Sequence, residues 1–328
     1  MTSGQSLDLL LRVLRGCPPP PGLDEENWME LIRTAGRQTV TGLLYNAAEH
    51  FPEDIRMPDR ALYTLLEKVR RTAGRNRELA GAEKEVLELL RSEKVRALVM
   101  KGSSCAARYP SPELRTCGDI DLYIPEKDFQ KALDVIGGAG IEYSRKPDSS
   151  VAFTLRGCEV ELHRSYFDLH VRKEKLPPVG TPEAELLMLS AHILKHACSA
   201  GVGLRQIFDF AFAYKAYEGD YGKLHDLFGR CGLSRWNALL LSFIKDYIDP
   251  CMEIKDKVDS APLFRIVERG GNFGHFHGGR LESIRRQPAF RRKLDTFRRI
   301  LSNFRFSLRY APREVFPFLA ELFRENLR

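Results

Sequence analysis

The sequence predicts an α+β protein: a small mixed β-sheet core with helical regions before and after it. Three observations carry that prediction. Apolar residues recur at helical spacing in the first third and again after Pro177-Pro178. Between Val95 and His163 that spacing gives way to short apolar runs bounded by glycine and charged residues. Within those runs, acidic residues fall at alternate positions, so that apolar neighbours face one side of a strand and carboxylates the other. The chain therefore divides into an N-terminal helical region (1–94), an α/β core (95–176) and a C-terminal helical domain with a basic tail (177–328).

Leu7 to Leu14 reads as a short amphipathic helix rather than a signal peptide, because Asp8 and Arg12 interrupt the apolar run, no basic segment precedes it and Cys17 leads into four prolines. From Trp28 to His50 apolar residues keep helical phase, with Asp24 as N-cap. Pro58 to Leu90 reads as a long charged amphipathic helix or a helix pair broken near Gly74 or Gly81. Ala97 to Met100 reads as a buried strand that turns at Lys101-Gly102-Ser103-Ser104 into a helix. Further strands are expected at Ile120–Ile124, Ile141–Ser144, Val151–Leu155 and Cys158–His163, with a helix from Lys127 to Ile136 ended by Gly137-Gly138. Arg156-Gly157 suits a hairpin between the last two strands. Helices return at Glu183–Ala197, started by Pro182 with Thr181 as cap, and at Leu204–Tyr217.

Composition excludes several classes. With 328 residues, 43% hydrophobic and 29% charged, the chain is neither disordered nor a simple coiled coil. No apolar run approaches the roughly 20 residues that span a bilayer. Seven scattered cysteines without a C-x-x-C argue against a disulfide framework or zinc ribbon and for the cytoplasm. The net charge of +7 is local: Arg265 to Arg328 holds 15 Lys/Arg and 6 Asp/Glu, leaving the remainder at −2.

The chemistry concentrates in three stretches. Asp119 and Asp121 share one face of a strand while Ile120 and Leu122 face the core, and Glu159, Glu161 and His163 share one face of another. Were those strands neighbours, three carboxylates would converge, a costly arrangement unless positive charge joins them. Mg²⁺ is the simplest remedy, since it takes carboxylate oxygens and keeps positions for water and phosphates. Two such ions activate an attacking hydroxyl and stabilise a leaving pyrophosphate. The Gly102-Ser103 turn offers close backbone approach, N–H donors and a hydroxyl to a triphosphate.

A strand ending in Gly-Ser, a strand with Asp-hydrophobic-Asp and a later hydrophobic-acid-hydrophobic strand resemble the DNA polymerase β-like nucleotidyltransferase superfamily. The closer resemblance is to the bacterial "uncharacterised nucleotidyltransferase" family. It rests on Lys101-Gly102, Tyr109-Pro110, Arg115, Gly118-Asp119-Ile120-Asp121-Leu122, Glu161-Leu162-His163, the His192 and His196 pair, Leu204-Arg205 and Asp209, and covers roughly Trp28 to Gly274. The resemblance implies a nucleotidyltransferase core in which Asp119, Asp121 and Glu161 are catalytic metal ligands for two Mg²⁺ ions, with Mn²⁺ as the alternative. Lys101, Gly102, Ser103, Ser104, Arg115 and His163 would bind the nucleotide. The implied reaction moves a nucleoside monophosphate from an NTP to an unknown hydroxyl or phosphate acceptor.

Other readings stay beside this one. The fold could bind a nucleotide or partner without turnover. Glu159 has the phase of Glu161, but Glu161 is favoured as the third carboxylate and Glu159 reads as an exposed edge charge. His192 and His196 lie on one helical face without the Glu of H-E-x-x-H, which favours packing over zinc. Arg205 and Asp209 read as a helix ion pair, and Gly270 to Gly274 as a loop. The tail mixes Phe290, Phe297, Phe304, Phe306 and Tyr310 with arginines. That composition suits nucleic acid, but the apolar spacing more simply means amphipathic helices.

Overall fold

A computed structural model describes residues 1–146, 149–171, 173–198, 201–270 and 303–314. The fold is α+β, with one five-stranded mixed sheet and helices before and after it in the chain. Contacts divide it into two compact units: residues 66–167, which hold the sheet, and Met1–Leu65 together with the described residues from Asp168 onward, which are helical.

In the helical unit, α1 (Ser3–Leu14) opens with a capping box, Thr2 Oγ1 accepting from Gln5 N at 3.3 Å while Gln5 Oε1 accepts from Thr2 N at 2.8 Å. Asp24 caps α2 (Glu25–Arg37) as expected, accepting from Asn27 N at 2.8 Å. The helical phase from Trp28 to His50 is nevertheless split, because α3 (Thr41–Ala48) starts afresh. Thr39 takes a left-handed φ of 55° and Val40 N donates back to Ala35 O at 2.9 Å, closing α2. The buried Gln38 then satisfies both ends of its amide, donating to Val267 O and accepting from Leu204 N, each at 3.0 Å.

The longest helix, α4 (Asp59–Ser92), runs unbroken through Gly74 and Gly81. Each interior glycine costs about 1 kcal/mol of propensity. Leu79, Ala82, Val86 and Leu90 recover it by burial in the core of the sheet-bearing unit.

That core lies under a sheet of order β1-β2-β5-β4-β3, made of β1 (Leu98–Val99), β2 (Ile120–Tyr123), β3 (Tyr143–Arg145), β4 (Val151–Leu155) and β5 (Cys158–His163). β2 and β5 run parallel and every other pair is antiparallel. The β4–β5 connection is the expected two-residue hairpin: Arg156 and Gly157 have φ of 50° and 72°, the double left-handed turn that matches strand twist. β1 differs from expectation. It is a two-residue edge strand with Leu98 37% exposed, because only β2 flanks it.

After β1 comes α5 (Ser103–Ala106), a single turn, and after β2 comes α6 (Glu126–Gly138), which continues through Gly137-Gly138. Phe129, Ala132, Leu133 and Ile136 form one buried stripe of α6 and join Ile120, Leu122, Val160 and Leu162 in the core.

The remaining helices of the helical unit are α7 (Pro182–Cys198), α8 (Leu204–Lys215), α9 (Tyr221–Arg230), α10 (Ser234–Tyr247) and α11 (Ala261–Gly270). Thr181 Oγ1 accepts from Ala184 N at 3.2 Å at the start of α7, the cap expected before Pro182. Phe304, Phe306 and Tyr310 sit in a described helical stretch, where the Phe306 ring lies 6.2 Å from Trp236 and Tyr310 is buried. Of the loop expected at Gly270 to Gly274, Gly270 instead ends α11, and residues 271–274 with the rest of the basic tail, Phe290 and Phe297 included, lie outside the described residues. All seven cysteines are free, and no helix among the described residues is long and apolar enough to cross a membrane.

Candidate active site

The parallel β2–β5 pair positions the acidic residues. Its register sets Asp121 beside Glu161 and Tyr123 beside His163, so the side chains of Asp121, Glu161 and His163 leave the same face. The opposite faces of both strands are sealed into the core by Ile120, Leu122, Val160 and Leu162. The alternation that puts Leu inside therefore forces acid outside.

The three side chains meet. His163 Nε2 lies 2.8 Å from Asp121 Oδ1 and 3.6 Å from Glu161 Oε2. One ligand atom from each residue falls within 4.8 Å of the others, the only such metal-capable group among the described residues. Asp121, Glu161 and His163 keep 12%, 14% and 20% of their side-chain exposure. Two carboxylates and an imidazole in this arrangement fit a divalent cation, and the imidazole extends the range from Mg²⁺ toward Mn²⁺. Asp119 is exposed just before β2 and is not one of the three.

Two ammonium groups offset this acidity. Lys101 Nζ is 3.7 Å from Asp121 Oδ2. Lys146, just past β3, bridges Glu159 Oε1 at 2.9 Å and Glu161 Oε1. Burial pulls the Lys146 ammonium down, but its hydrogen bonds and charge attraction to Glu161 and Glu159 outweigh that and raise it above the ordinary lysine value.

The glycine-serine turn lies at the mouth of β1. Met100 N donates to Asp121 O at 3.0 Å, tying the turn to β2. Gly102 has φ 64° and ψ −114°, a conformation that L side chains rarely adopt. An added Cβ would meet Asp119 O at 3.8 Å, an ordinary contact, so the strain would come from the backbone alone. Gly102→Ala is accordingly expected to destabilise the sheet-bearing unit by about 1–3 kcal/mol, read as a lowered urea midpoint.

Ser104 closes the turn, its Oγ donating to Lys101 O at 3.2 Å. Ser103 Oγ instead reaches the Glu83 carboxylate of α4, 2.7 and 2.8 Å from its two oxygens. Burial raises the Glu83 carboxyl above the ordinary carboxylate value, against a smaller lowering by the Ser103 hydroxyl. Because α5 is only one turn long, the turn has no long helix dipole behind it.

Arg115 is 5% exposed, with Nη1 2.9 Å from Cys117 Sγ and its guanidinium over the Tyr109 ring at 5.8 Å. Its carbonyl and that of Glu113 both accept from Asn76 Nδ2 at 2.7 Å. Within the helical unit, His192 and His196 stack edge-on at 4.4 Å, and His192 Nδ1 lies 3.5 Å from Asp168 Oδ2, which Lys195 also approaches at 3.1 Å. Asp209 is buried on α8.

Sequence reasoning misses Glu83 and Lys146. Glu83 is one of many charges on α4, and nothing local marks it. Lys146 carries a weak signal, since alternation along β3 and the register Ser144↔Ala152↔Glu161 put residue 146 on the acidic face once the strand order is known.

The sequence model of a family described as "Uncharacterised nucleotidyltransferase" matches residues 24–249, more than half of the chain. Neither a curated protein nor a solved structure matches it.

Proposed function

The chain belongs to the uncharacterised nucleotidyltransferase family, and from that premise we propose that it transfers a nucleoside monophosphate from an NTP to a hydroxyl or phosphate acceptor with help from a divalent cation. The observation that carries this reading is the parallel Asp121↔Glu161 register, with His163 at the same end.

In this reading Asp121, Glu161 and His163 would hold the cation, Mg²⁺ or Mn²⁺, and Asp119, exposed just before β2, would be the ligand available to a second ion. A cation bound there supplies positive charge where phosphate oxygens and an acceptor oxygen must come together. The backbone around Gly102 approaches the triphosphate closely. Lys101, next to that turn and 3.7 Å from Asp121, neutralises phosphate charge from the carboxylate side. Ser103 and Ser104 contribute hydroxyls, Ser103 after leaving Glu83. Arg115, packed against Tyr109 and Cys117, fixes the loop that leads into Asp119. The acceptor oxygen forms a bond to the α-phosphorus as the bond to the β-phosphate oxygen breaks and pyrophosphate departs.

The test is pyrophosphate release from each of the four NTPs with Mg²⁺ or Mn²⁺ across a panel of hydroxyl and phosphate acceptors. Cation-dependent release with at least one acceptor is the expected result. Nucleotide binding without release under every condition would leave a binding protein on this fold and overturn the transfer reading.

A further inference from the structure

The residue with the clearest unassigned part is Lys146. Its ammonium reaches across the sheet from the end of β3 to β5 and bridges Glu161 and Glu159. Backbone bonds hold both sides of its peptide: Lys146 N donates to Ser150 O at 2.9 Å, and Ser149 N donates to Lys146 O at 3.0 Å. Between β3 and β5 on that face stands Ala152, paired with Ser144 on one side and Glu161 on the other. A small residue there leaves the long lysine a path over the sheet.

We propose that Lys146 competes with the divalent cation for Glu161 and so sets the cation concentration at which the site loads. The inference rests on the cation-dependent reading given above. The Glu161 oxygen that Lys146 holds is Oε1, and the oxygen nearer His163 is Oε2. A cation using Glu161 fully must dislodge the ammonium. Glu159 gives the dislodged group a place to stay: it lies 2.9 Å from Nζ, is more than half exposed, and lies outside the Asp121–Glu161–His163 group. Lys146 itself is one-third exposed, so its swing from a two-carboxylate bridge to Glu159 alone needs only side-chain rotation. Charge balance at Glu161 favours the exchange, because a dication brings two positive charges where Lys146 brings one, and shares that one with Glu159.

The experiment is calorimetric titration of Mn²⁺ into the full chain, wild type against Lys146→Met, Lys146→Arg and Asp121→Asn. Lys146→Met is expected to bind Mn²⁺ roughly three- to thirtyfold more tightly, the range for losing a part-exposed charged hydrogen bond. Lys146→Arg, with a cation of similar reach, is expected to keep affinity close to wild type. In a lysine ammonium NMR spectrum, the Lys146 signal is expected to move as Mg²⁺ is added to wild type and to stay fixed in Asp121→Asn. Equal or weaker Mn²⁺ binding by Lys146→Met, or an immobile Lys146 signal in wild type, would overturn the competition while leaving the cation site standing. No Asp121-dependent Mn²⁺ binding in any variant would remove the functional reading and this inference together.

Discussion

Asp121→Asn is expected to reduce pyrophosphate release by about 10³-fold or more while moving thermal stability by no more than about 1 kcal/mol in either direction. On the proposed reading Asp121 is a ligand of the cation, and removing its charge would cost about 4 kcal/mol of transition-state stabilisation. The small stability change follows from the position. Asp121 stands on the open face of β2, and Asn is nearly isosteric with it. Asn Oδ1 can still accept from His163 Nε2, now 2.8 Å from Asp121 Oδ1, and the strand stays anchored by Ile120 and Leu122. Loss of the 3.7 Å Lys101 pair is offset by relief of repulsion between Asp121 and Glu161. Functional clusters of like charge often cost a fold stability in this way. Pyrophosphate release at the wild-type rate by a folded Asp121→Asn protein would refute the assignment.

Phe129→Ala is the largest expected effect on stability, a loss of about 3–5 kcal/mol. Phe129 is fully buried on α6 and packs in the cluster that also holds Leu122, Val160 and Leu162, the undersides of the two site strands. The Arg164 guanidinium lies 4.2 Å from its ring centre, so truncation loses a cation–π contact as well as area and leaves a cavity. Arg164 retains Glu126 at 2.7 Å, which separates the packing loss from loss of charge. The measurement is the urea midpoint by far-UV circular dichroism beside Phe129→Leu, which should cost about 1–1.5 kcal/mol. A Phe129→Ala loss below about 1 kcal/mol would mean that the α6 stripe is not what holds the sheet.

What was legible in the sequence was what local chemistry dictates. Period-two alternation at Ile120–Leu122 and Val160–Leu162 tells which residues face inward, and therefore which acids face out. Asp24, Thr181 and the Arg156-Gly157 pair act within four residues of themselves, and each does in the structure what its side chain or backbone preference suggests. The residues that converge, Asp121, Glu161 and His163, all stand in stretches the pattern singles out. The strand order that makes β2 and β5 neighbours was not legible from spacing and remained a condition on the argument.

What failed depended on tertiary context. Whether Pro58 to Leu90 forms one helix or a pair broken near Gly74 or Gly81 stays open in the sequence, and core packing along α4 decides for one. The helical phase from Trp28 to His50 hides the left-handed turn at Thr39, a residue type with no preference for that conformation. Met100 is buried as its apolar run suggests, but Leu98 is not, because edge position is a property of strand order. Glu83 and Lys146 come to the site from elements whose placement no short motif encodes.

The parallel pairing of β2 with β5 also governs when the site comes into being. Asp121 and His163 are 42 residues apart, and α6, β3 and β4 must all be laid down between them. The β4–β5 hairpin can close within microseconds around its two-residue turn, whereas β2 must find its partner across a long loop. A chain still leaving the ribosome at the end of α6 carries Asp121 but has nothing for it to meet. On the proposed reading, cation affinity would arrive only with the docking of β2 on β5, and Mn²⁺ binding would then time that step of folding.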